Sequence, residues 1–291
     1  MPVKITVDIF SGRPNPSVEL SGKEAQEALE KLKPVETLSA DAAEKTATPI
    51  LGYRGLIVEQ TGKEAVKELP ARVRLSAGNV VGRGLAHRAA DPGFEDFFFK
   101  GAFKNVAGVA KLRGRILEEV ERGRAIRENL ILRPLPFPFK LACACAPLYE
   151  PDWWNDAGQK QFNNNCYNYA TNYRSDTFAQ PGQAAGAMYT ALTCASVLPA
   201  AVADALEDSP GANNKCPAEG HLVALVIAPG IDFHWYRKGR NGFWTHKPGS
   251  TAVTNLDNSG HLITDPRTAD RGFYTDFCTF MVVKHGHIKI Q

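Results

Sequence analysis

The sequence predicts an α+β protein with two domains and antiparallel sheets. Residues 3–10 alternate between apolar and polar side chains, as a half-buried strand does, and an amphipathic helix follows Ser21. In the C-terminal half, helices come first and an antiparallel meander follows, with turn signals at Pro229-Gly230 and Asn241-Gly242. Helices and antiparallel strands that are segregated along the chain are typical of the α+β class.

Charge density divides the chain into two parts. Residues 1–140 contain 23 Lys+Arg and 18 Asp+Glu, whereas residues 141–291 contain 11 and 13. The hydrophobic content of 44% and the charged content of 22% are globular values for the chain as a whole. We therefore predict a small α+β domain of unassigned role over 1–132, a proline-rich linker over 133–151 and a second domain over 152–291.

The expected elements of the first domain are strands over 51–58, 71–75 and 79–81, a short helix over 63–69 and a mostly helical region over 94–130. Residues 34–50 and 83–93 are expected to be irregular. In the second domain, we expect helices over 166–172 and 184–197, the latter resuming after Pro199. A continuous apolar run predicts a central strand at 221–228, followed by strands over 233–237, 243–246, 262–264 and 277–284.

Cys166 is the candidate nucleophile. It follows Asn163-Asn164-Asn165, a run of capping residues, at a predicted helix start. A helix N-terminus and a nearby imidazolium both lower the pKa of a thiol. His221 opens the central strand 55 residues later and is the candidate general base and acid.

A cysteine on the first helix, followed by a histidine that opens a central antiparallel strand, resembles the papain-like thiol hydrolases over residues 155–285. It is most similar to the compact bacterial peptidases and amidases. The cysteine followed by an aromatic residue, Cys166-Tyr167, matches the family, whereas the Gly-Ser flank of papain is absent.

The resemblance implies hydrolysis of a peptide or protein substrate through a Cys166–His221 dyad and a thioester intermediate, with no cofactor and no catalytic metal. Asn241 is the leading candidate to orient His221, ahead of Asp232 and Asp257. The expected oxyanion donors are Gln161, Asn165 and the Cys166 backbone N–H. The expected substrate-binding residues are His234, Trp235 and His246.

Two other functions are compatible with the sequence. Cys216 and His221, together with His285 and His287, contain ligand types that zinc prefers, although they form no recognised closed set. A non-catalytic binding or toxin-related module on the same fold is the other alternative. Cys194 and Cys278 are expected to be small core residues, because their neighbours are apolar.

The remaining expectations concern partners and location. The first part lacks a motif of interleaved aromatic and basic residues, which argues against nucleic-acid binding. No apolar run approaches the roughly 20 residues that span a bilayer. The first residues lack the apolar segment of a signal peptide, so a cytoplasmic protein with reduced thiols is expected, with export by another route as the alternative. The sequence leaves the oligomeric state open.

Overall fold

The protein has an α+β fold in two compact units. The structure, a computed structural model, describes residues 2–62, 66, 68–107, 109–130 and 142–291. Unit 1 comprises Met1–Ile9, Asn15–Thr48 and Gly52–Leu130, and unit 2 comprises Phe10–Pro14, Pro49–Leu51 and Ile131–Gln291. Two short N-terminal segments thus belong to unit 2. Much of the linker predicted over 133–151 and of the helix predicted over 63–69 lies outside the described residues.

Unit 1 contains an antiparallel sheet of seven strands. Their bounds are β1 (Val3–Val7), β2 (Ser17–Leu20), β3 (Pro34–Thr37), β4 (Leu56–Gln60), β5 (Arg72–Ser76), β6 (Asn79–Gly82) and β7 (Leu85–Ala89). The strand order is β2-β1-β4-β5-β6-β7-β3. The accompanying helices are α1 (Gly22–Lys31), α2 (Ala40–Ala47), α3 (Phe94–Lys100) and α4 (Arg113–Asn129).

Two stretches of unit 1 that the sequence predicts to be irregular are ordered elements. Residues 34–50 contain β3 and α2, and the Ser39 side chain caps α2 by accepting a hydrogen bond from the Ala42 backbone N–H at 3.2 Å. Residues 83–93 contain β7, which pairs with β6 through a two-residue turn. Gly84 adopts a φ of 70° in that turn, a conformation that favours glycine.

Unit 1 contains a buried ion pair cluster beside its sheet. The Asp8 carboxylate lies 2.6 Å from both the Arg54 and the Arg74 guanidinium groups. Burial alone would raise the pKa of Asp8, but the two guanidinium charges outweigh it and hold that pKa well below its usual range. The carboxylate is therefore ionised, and it binds the end of β1 to the β4 and β5 region.

In its described residues, unit 2 contains five antiparallel strands and four α-helices. Their bounds are α5 (Pro151–Trp154), α6 (Gln159–Asn163), α7 (Cys166–Thr171), α8 (Cys194–Ala203), β8 (Glu207–Asp208), β9 (His221–Ala228), β10 (Asp232–Lys238), β11 (Trp244–His246) and β12 (Asp276–Val283). The strand order is β11-β10-β9-β12-β8. Every residue of β9 is buried, which confirms the prediction of a central strand at 221–228.

Helices α7 and α8 pack on one face of this sheet. The cluster contains Cys166, Tyr167 and Ala170 from α7, Val197 and Ala201 from α8, and the sheet residues Val223, Leu225, Ile227, Phe233, Trp235, Met281 and Val283. The strand residues alternate along β9 and β10, as side chains on one face of a sheet must. This face is the apolar core of unit 2.

The long helix predicted from residue 184 is wrong, because α8 begins only at Cys194. Gly182 and Gly186 adopt φ values of 78° and 68°, which a right-handed helix does not allow. A Cβ on Gly182 would lie 2.2 Å from the Ala187 carbonyl oxygen. The alanines of this segment favour helix, but this close backbone approach holds it in turns.

All six cysteines lie in the described residues, and four of them form disulfides. Cys143 pairs with Cys216, and Cys194 pairs with Cys278. Cys194 and Cys278 are therefore bonded rather than simple core residues, and the expectation of reduced thiols is corrected. Cys216 is also unavailable as a zinc ligand. Cys145, which is exposed, and Cys166, which is buried, are free.

Among the helices of the described residues, none is long and apolar enough to cross a membrane.

Candidate functional site

Cys166 is the first residue of α7 and is completely buried. Its Sγ lies 4.0 Å from the Phe233 carbonyl oxygen, within the apolar cluster between α7 and the sheet. Burial, reinforced by the negative charge of Asp232, raises the pKa of the Cys166 thiol well above its ordinary value. The thiol is therefore protonated at neutral pH, because these effects outweigh that of the helix N-terminus.

Asn165 caps α7 with both parts of its amide. Its Oδ1 accepts hydrogen bonds from the Tyr167 and Asn168 backbone N–H groups at 3.0 and 3.1 Å. Its Nδ2 donates to the Gly12 and Ala179 carbonyl oxygens, both at 2.7 Å. In return, the Asn168 Oδ1 accepts from the Asn165 backbone N–H, which completes a capping box. The predicted oxyanion role of Asn165 conflicts with this geometry, since both amide hydrogens are engaged.

His221 is bonded to the opposite end of the same helix. Its Nε2–H donates to the Ala170 carbonyl oxygen at 2.7 Å, and its ring lies 5.4 Å from that of His285. Burial is the main cause that lowers the pKa of His221 to about 3. The imidazole is thus neutral at neutral pH and satisfies a backbone carbonyl near the helix C-terminus.

The structure does not bring Cys166 and His221 together as the predicted dyad requires. The Cys166 thiol lies against Phe233, which pairs with Ile227 in the sheet. His221 instead contacts the Ala170 carbonyl oxygen, which lies four residues after Cys166 in α7, or roughly 6 Å along the helix axis at about 1.5 Å per residue. In the papain-like arrangement the helix N-terminus faces the histidine, whereas here His221 contacts the C-terminal turn.

Asn241 is a turn residue. Its Oδ1 accepts a hydrogen bond from the Phe243 backbone N–H at 3.1 Å, within the turn that joins β10 to β11. A turn centred on Gly230-Ile231 would pair residue 240 with His221 and place Asn241 one step further on. The observed pairing of Arg237 with Val223 instead continues to Gly239 opposite His221. The shift arises because the turn after Ala228 contains three residues, with Ile231 N–H donating to the Ala228 carbonyl oxygen.

Gln161 lies in α6, and its polar groups are also engaged. Its side-chain Oε1 accepts from the Ala157 backbone N–H at 3.3 Å, and its carbonyl oxygen accepts from the Lys247 Nζ at 2.6 Å. No contact joins it to Cys166 within the described residues. The predicted oxyanion pair is therefore not assembled around the thiol.

His234, Trp235 and His246, the predicted substrate-binding residues, are buried. His234 Nε2–H donates to His246 Nδ1 at 2.9 Å, because His246 Nε2–H donates to the Leu256 carbonyl oxygen at the same distance. Trp235 packs in the cluster that holds Cys166, and its neighbour His234 lies on the other face of the sheet. These residues do not line an open groove.

Asp232, which the sequence suggests only as a weaker third catalytic residue, organises a loop. Its carboxylate accepts hydrogen bonds from the backbone N–H groups of Ser11, Gly12 and Arg13 at 2.6 to 3.3 Å, and from the Tyr274 hydroxyl at 2.6 Å. Burial raises the pKa of Asp232, and the four donors oppose that rise. The glycine and two prolines of residues 11–16 indicate a tight turn in the sequence, but the sequence does not show that its partner lies 220 residues away.

In the described residues, no group of three or more His, Cys, Asp or Glu side chains could hold a metal ion. Unit 2 is thus an α+β module that contains two disulfides. The expected nucleophile is the first residue of a buried, capped helix. The polar site residues of unit 2 form hydrogen bonds that the fold itself requires.

Comparison with known proteins identifies a relative of this chain. No family model matches the chain, and no solved structure is similar to it. Insoluble matrix shell protein 1 of Ruditapes philippinarum is 46% identical over 145 residues, which represent 49% of this chain and 93% of that protein. The chain belongs to the family of this matrix shell protein. Because unit 1 ends at Leu130, an alignment of this length includes part of unit 2.

Asn165→Ala should lower the free energy of unfolding by about 2–3 kcal/mol, since it removes a helix cap and two buried hydrogen bonds. Chemical denaturation would measure the change. Asn163→Ala is the matched control, because Asn163 donates only to the Gln159 side chain, and its cost should stay within about 0.5 kcal/mol. Equal costs for the two variants would contradict the structural role of Asn165.

The pKa of about 3 for His221 predicts a dependence of stability on pH. Between about pH 6.5 and 3, the unfolded chain binds a proton at this histidine and the folded chain does not, so stability falls as the pH falls through that window, by roughly 5 kcal/mol at most. This loss of stability at low pH should be absent in His221→Gln. The free energy of unfolding of the variant should therefore increase relative to that of the wild type as the pH falls. Denaturation at several pH values measures it.

His261→Gln is the control for that experiment, because the His261 side chain is 79% exposed. Its stability should run parallel to that of the wild type at every pH. If His221→Gln also runs parallel, the assignment of a buried neutral imidazole is wrong.

Proposed function

We propose that this chain is a non-catalytic structural protein of an extracellular matrix. The observation that carries the proposal is its 46% identity to insoluble matrix shell protein 1 across 93% of that protein. A match over nearly the whole length of the relative means that the relative's fold is contained in this chain. The name of the relative places it in an insoluble matrix, and we extend that role to this chain.

The disulfides support a location outside the cytoplasm. Cys143–Cys216 and Cys194–Cys278 close long segments of unit 2, with sequence separations of 73 and 84 residues. Structural disulfides form and persist in oxidising compartments and are rare in the cytosol. A cross-link over a long segment also restricts the unfolded chain, which suits a protein that must persist in a matrix.

The hydrogen bonds around Cys166 and His221 support a structural role for both residues. A cysteine nucleophile needs a thiolate, and a histidine base needs a pKa near the working pH. Burial raises the thiol pKa of Cys166 and lowers the imidazole pKa of His221 to about 3, so at neutral pH the thiol is not ionised and the imidazole is too weak a base to ionise it. Both side chains instead contact backbone carbonyl oxygens.

A cysteine-dependent peptidase or amidase is the second candidate. The observation that favours it is a free thiol at the first residue of a capped helix, which is where a helix N-terminus stabilises a thiolate. In that function Cys166 would attack a peptide or protein substrate and form a thioester, with His221 as the base. The attack would require α7 to move from the sheet and expose the sulfur.

Fractionation of the source tissue or culture tests the matrix role. We expect the chain in the insoluble extracellular fraction, detected with an antibody against unit 2, and resistant to extraction by salt. A cytosolic enzyme probed on the same blot is the control for cell lysis. Recovery of the chain in the soluble cell extract with reduced cysteines would overturn the proposal.

Counting reactive thiols separates the two candidates. With iodoacetamide at neutral pH, the folded protein should be labelled at Cys145 alone, because Cys145 is exposed and Cys166 is buried. Denaturant without reductant should add Cys166, and reduction should bring all six cysteines into reaction. Peptide mass spectrometry would locate each label. Labelling of Cys166 in the folded protein faster than Cys145 would favour the hydrolase and contradict the structural proposal.

A further inference from the structure

A buried lysine and a partly buried asparagine of unit 2 meet at a position that neither the disulfides nor the candidate site includes. Lys238, the last residue of β10, is 6% exposed. Its Nζ lies 2.5 Å from the side-chain Oδ1 of Asn214 and 2.9 Å from the Asn214 carbonyl oxygen. Because a C=O bond is about 1.23 Å long, the side-chain amide carbon lies within roughly 3.7 Å of the amine nitrogen. That separation approaches the reacting distance of about 3–3.5 Å.

The surroundings of Asn214 fix the orientation of its amide and polarise it. The Trp244 Nε1–H donates to Oδ1 at 2.8 Å, on the same oxygen that faces Lys238. The Nδ2 group donates to the Thr264 carbonyl oxygen at 3.0 Å and to the Asp265 Oδ2 at 3.3 Å. Donors therefore face the oxygen and acceptors face the nitrogen, so the assignment of the two amide atoms is consistent.

The local environment also raises the fraction of the lysine that is neutral. Burial is the main cause that lowers the pKa of Lys238 to about 8, and the charge of Asp265 opposes that fall. With a pKa near 8, roughly a tenth of the amine is unprotonated at neutral pH, whereas a lysine in water has far less. An unprotonated amine is the nucleophile that an amide carbon requires.

We propose that Lys238 and Asn214 join in an intramolecular isopeptide bond. The Lys238 Nζ lone pair attacks the Asn214 Cγ, and a C–N bond forms while the carbonyl π electrons move to Oδ1. The tetrahedral centre then collapses, the Cγ–Nδ2 bond breaks, and Nδ2 leaves as ammonia. The neutral amine has two hydrogens: after the attack its nitrogen gives one of them up and Nδ2 gains one as it leaves, so the product amide keeps one N–H and the charges balance. No oxidant, reductant or co-reactant takes part.

Three side chains assist this step. The Trp244 indole N–H donates to the oxygen on which negative charge develops, so it acts as an oxyanion donor. The Asp265 carboxylate contacts the leaving nitrogen and relays a proton from the attacking nitrogen to it. Arg267 holds Asp265 in place, with its Nε 3.0 Å and its Nη2 2.6 Å from carboxylate oxygens.

The bond would tie the loop between β8 and β9 to the end of β10 with a link that reductants do not cleave. Asn214 is two residues from Cys216, which the Cys143–Cys216 disulfide already holds. The proposal rests on this geometry alone and is independent of the matrix role. A covalent link between residues 214 and 238 lowers the entropy of the unfolded chain, as a disulfide does.

Intact mass spectrometry of the wild-type chain, denatured and fully reduced, tests the proposal directly. The mass should be lower than that of the sequence by one ammonia, about 17 Da. Proteolysis should yield a branched peptide that joins Lys238 to Asn214, with Lys238 protected from amine-specific acetylation. Incubation of freshly folded protein at about pH 8 should raise the bonded fraction with time.

Variants identify the groups involved. Lys238→Arg and Asn214→Ala should restore the full sequence mass, whereas Lys215→Arg, at the exposed lysine beside Asn214, should keep the ammonia loss. Asp265→Asn should slow bond formation at least tenfold, since the amide cannot relay a proton. The count of disulfides in each variant, taken without reductant, shows that it has folded.

Two results would overturn the proposal. One is the full sequence mass in folded wild-type protein after prolonged incubation, with an unbranched peptide that carries a free Lys238. The other is an ammonia loss that maps to a cyclised asparagine elsewhere while Lys238 reacts with the acetylating reagent. Because the wild-type chain decides both, the test does not depend on the stability of any variant.

Discussion

The buried carboxylate of Asp232 is the constraint on which the arrangement of unit 2 depends. It binds three consecutive backbone N–H groups of the loop at Ser11–Arg13, and these donors would otherwise be buried without partners. The carbonyl oxygen of Gly12, in the same loop, then accepts from the side chains of Asn165 and Gln180. One loop thus connects the first residue of β10 to the cap of α7. A substitution of Asp232 would therefore disturb both the loop and the cap.

The same loop explains why the stretch around Cys166, the candidate nucleophile of the sequence analysis, has a structural role. A Cβ on Gly12 would lie 2.4 Å from the Phe233 ring, so the loop approaches the sheet as closely as a backbone can. Phe233 also provides the carbonyl oxygen that Cys166 contacts. The cap of Asn165, the thiol and the loop therefore share one packed region. Water is excluded from it, and low polarity is what keeps the thiol protonated.

The sequence predicted unit 2 well where the signal is local. The apolar run at 221–228 correctly predicted β9. The turn at Pro229-Gly230 correctly predicted the hairpin with β10, although the pairing register differs by one residue. The prediction of a helix over 184–197 was wrong. The helix propensity of the alanines is a weaker constraint than the close backbone approach at Gly182. The Cys166–His221 dyad depended on which end of α7 faces β9. Periodicity shows which side of a helix packs, but it does not show which end meets a given strand residue.

The contacts of the loop around Asn214 were the least predictable part, because they join distant residues by three different interactions. Cys216 is bonded to Cys143, Asn214 accepts from Trp244 and Lys238, and Arg267 reaches Asn213. Six cysteines allow many pairings, and spacing chooses none of them. An asparagine in a loop is ordinarily a turn residue, as Asn241 is. What distinguishes Asn214 is that its left-handed backbone, with a φ of 61°, turns the side chain onto a buried amine. Only folding places the two groups together, and the burial that comes with folding also raises the neutral fraction of the lysine.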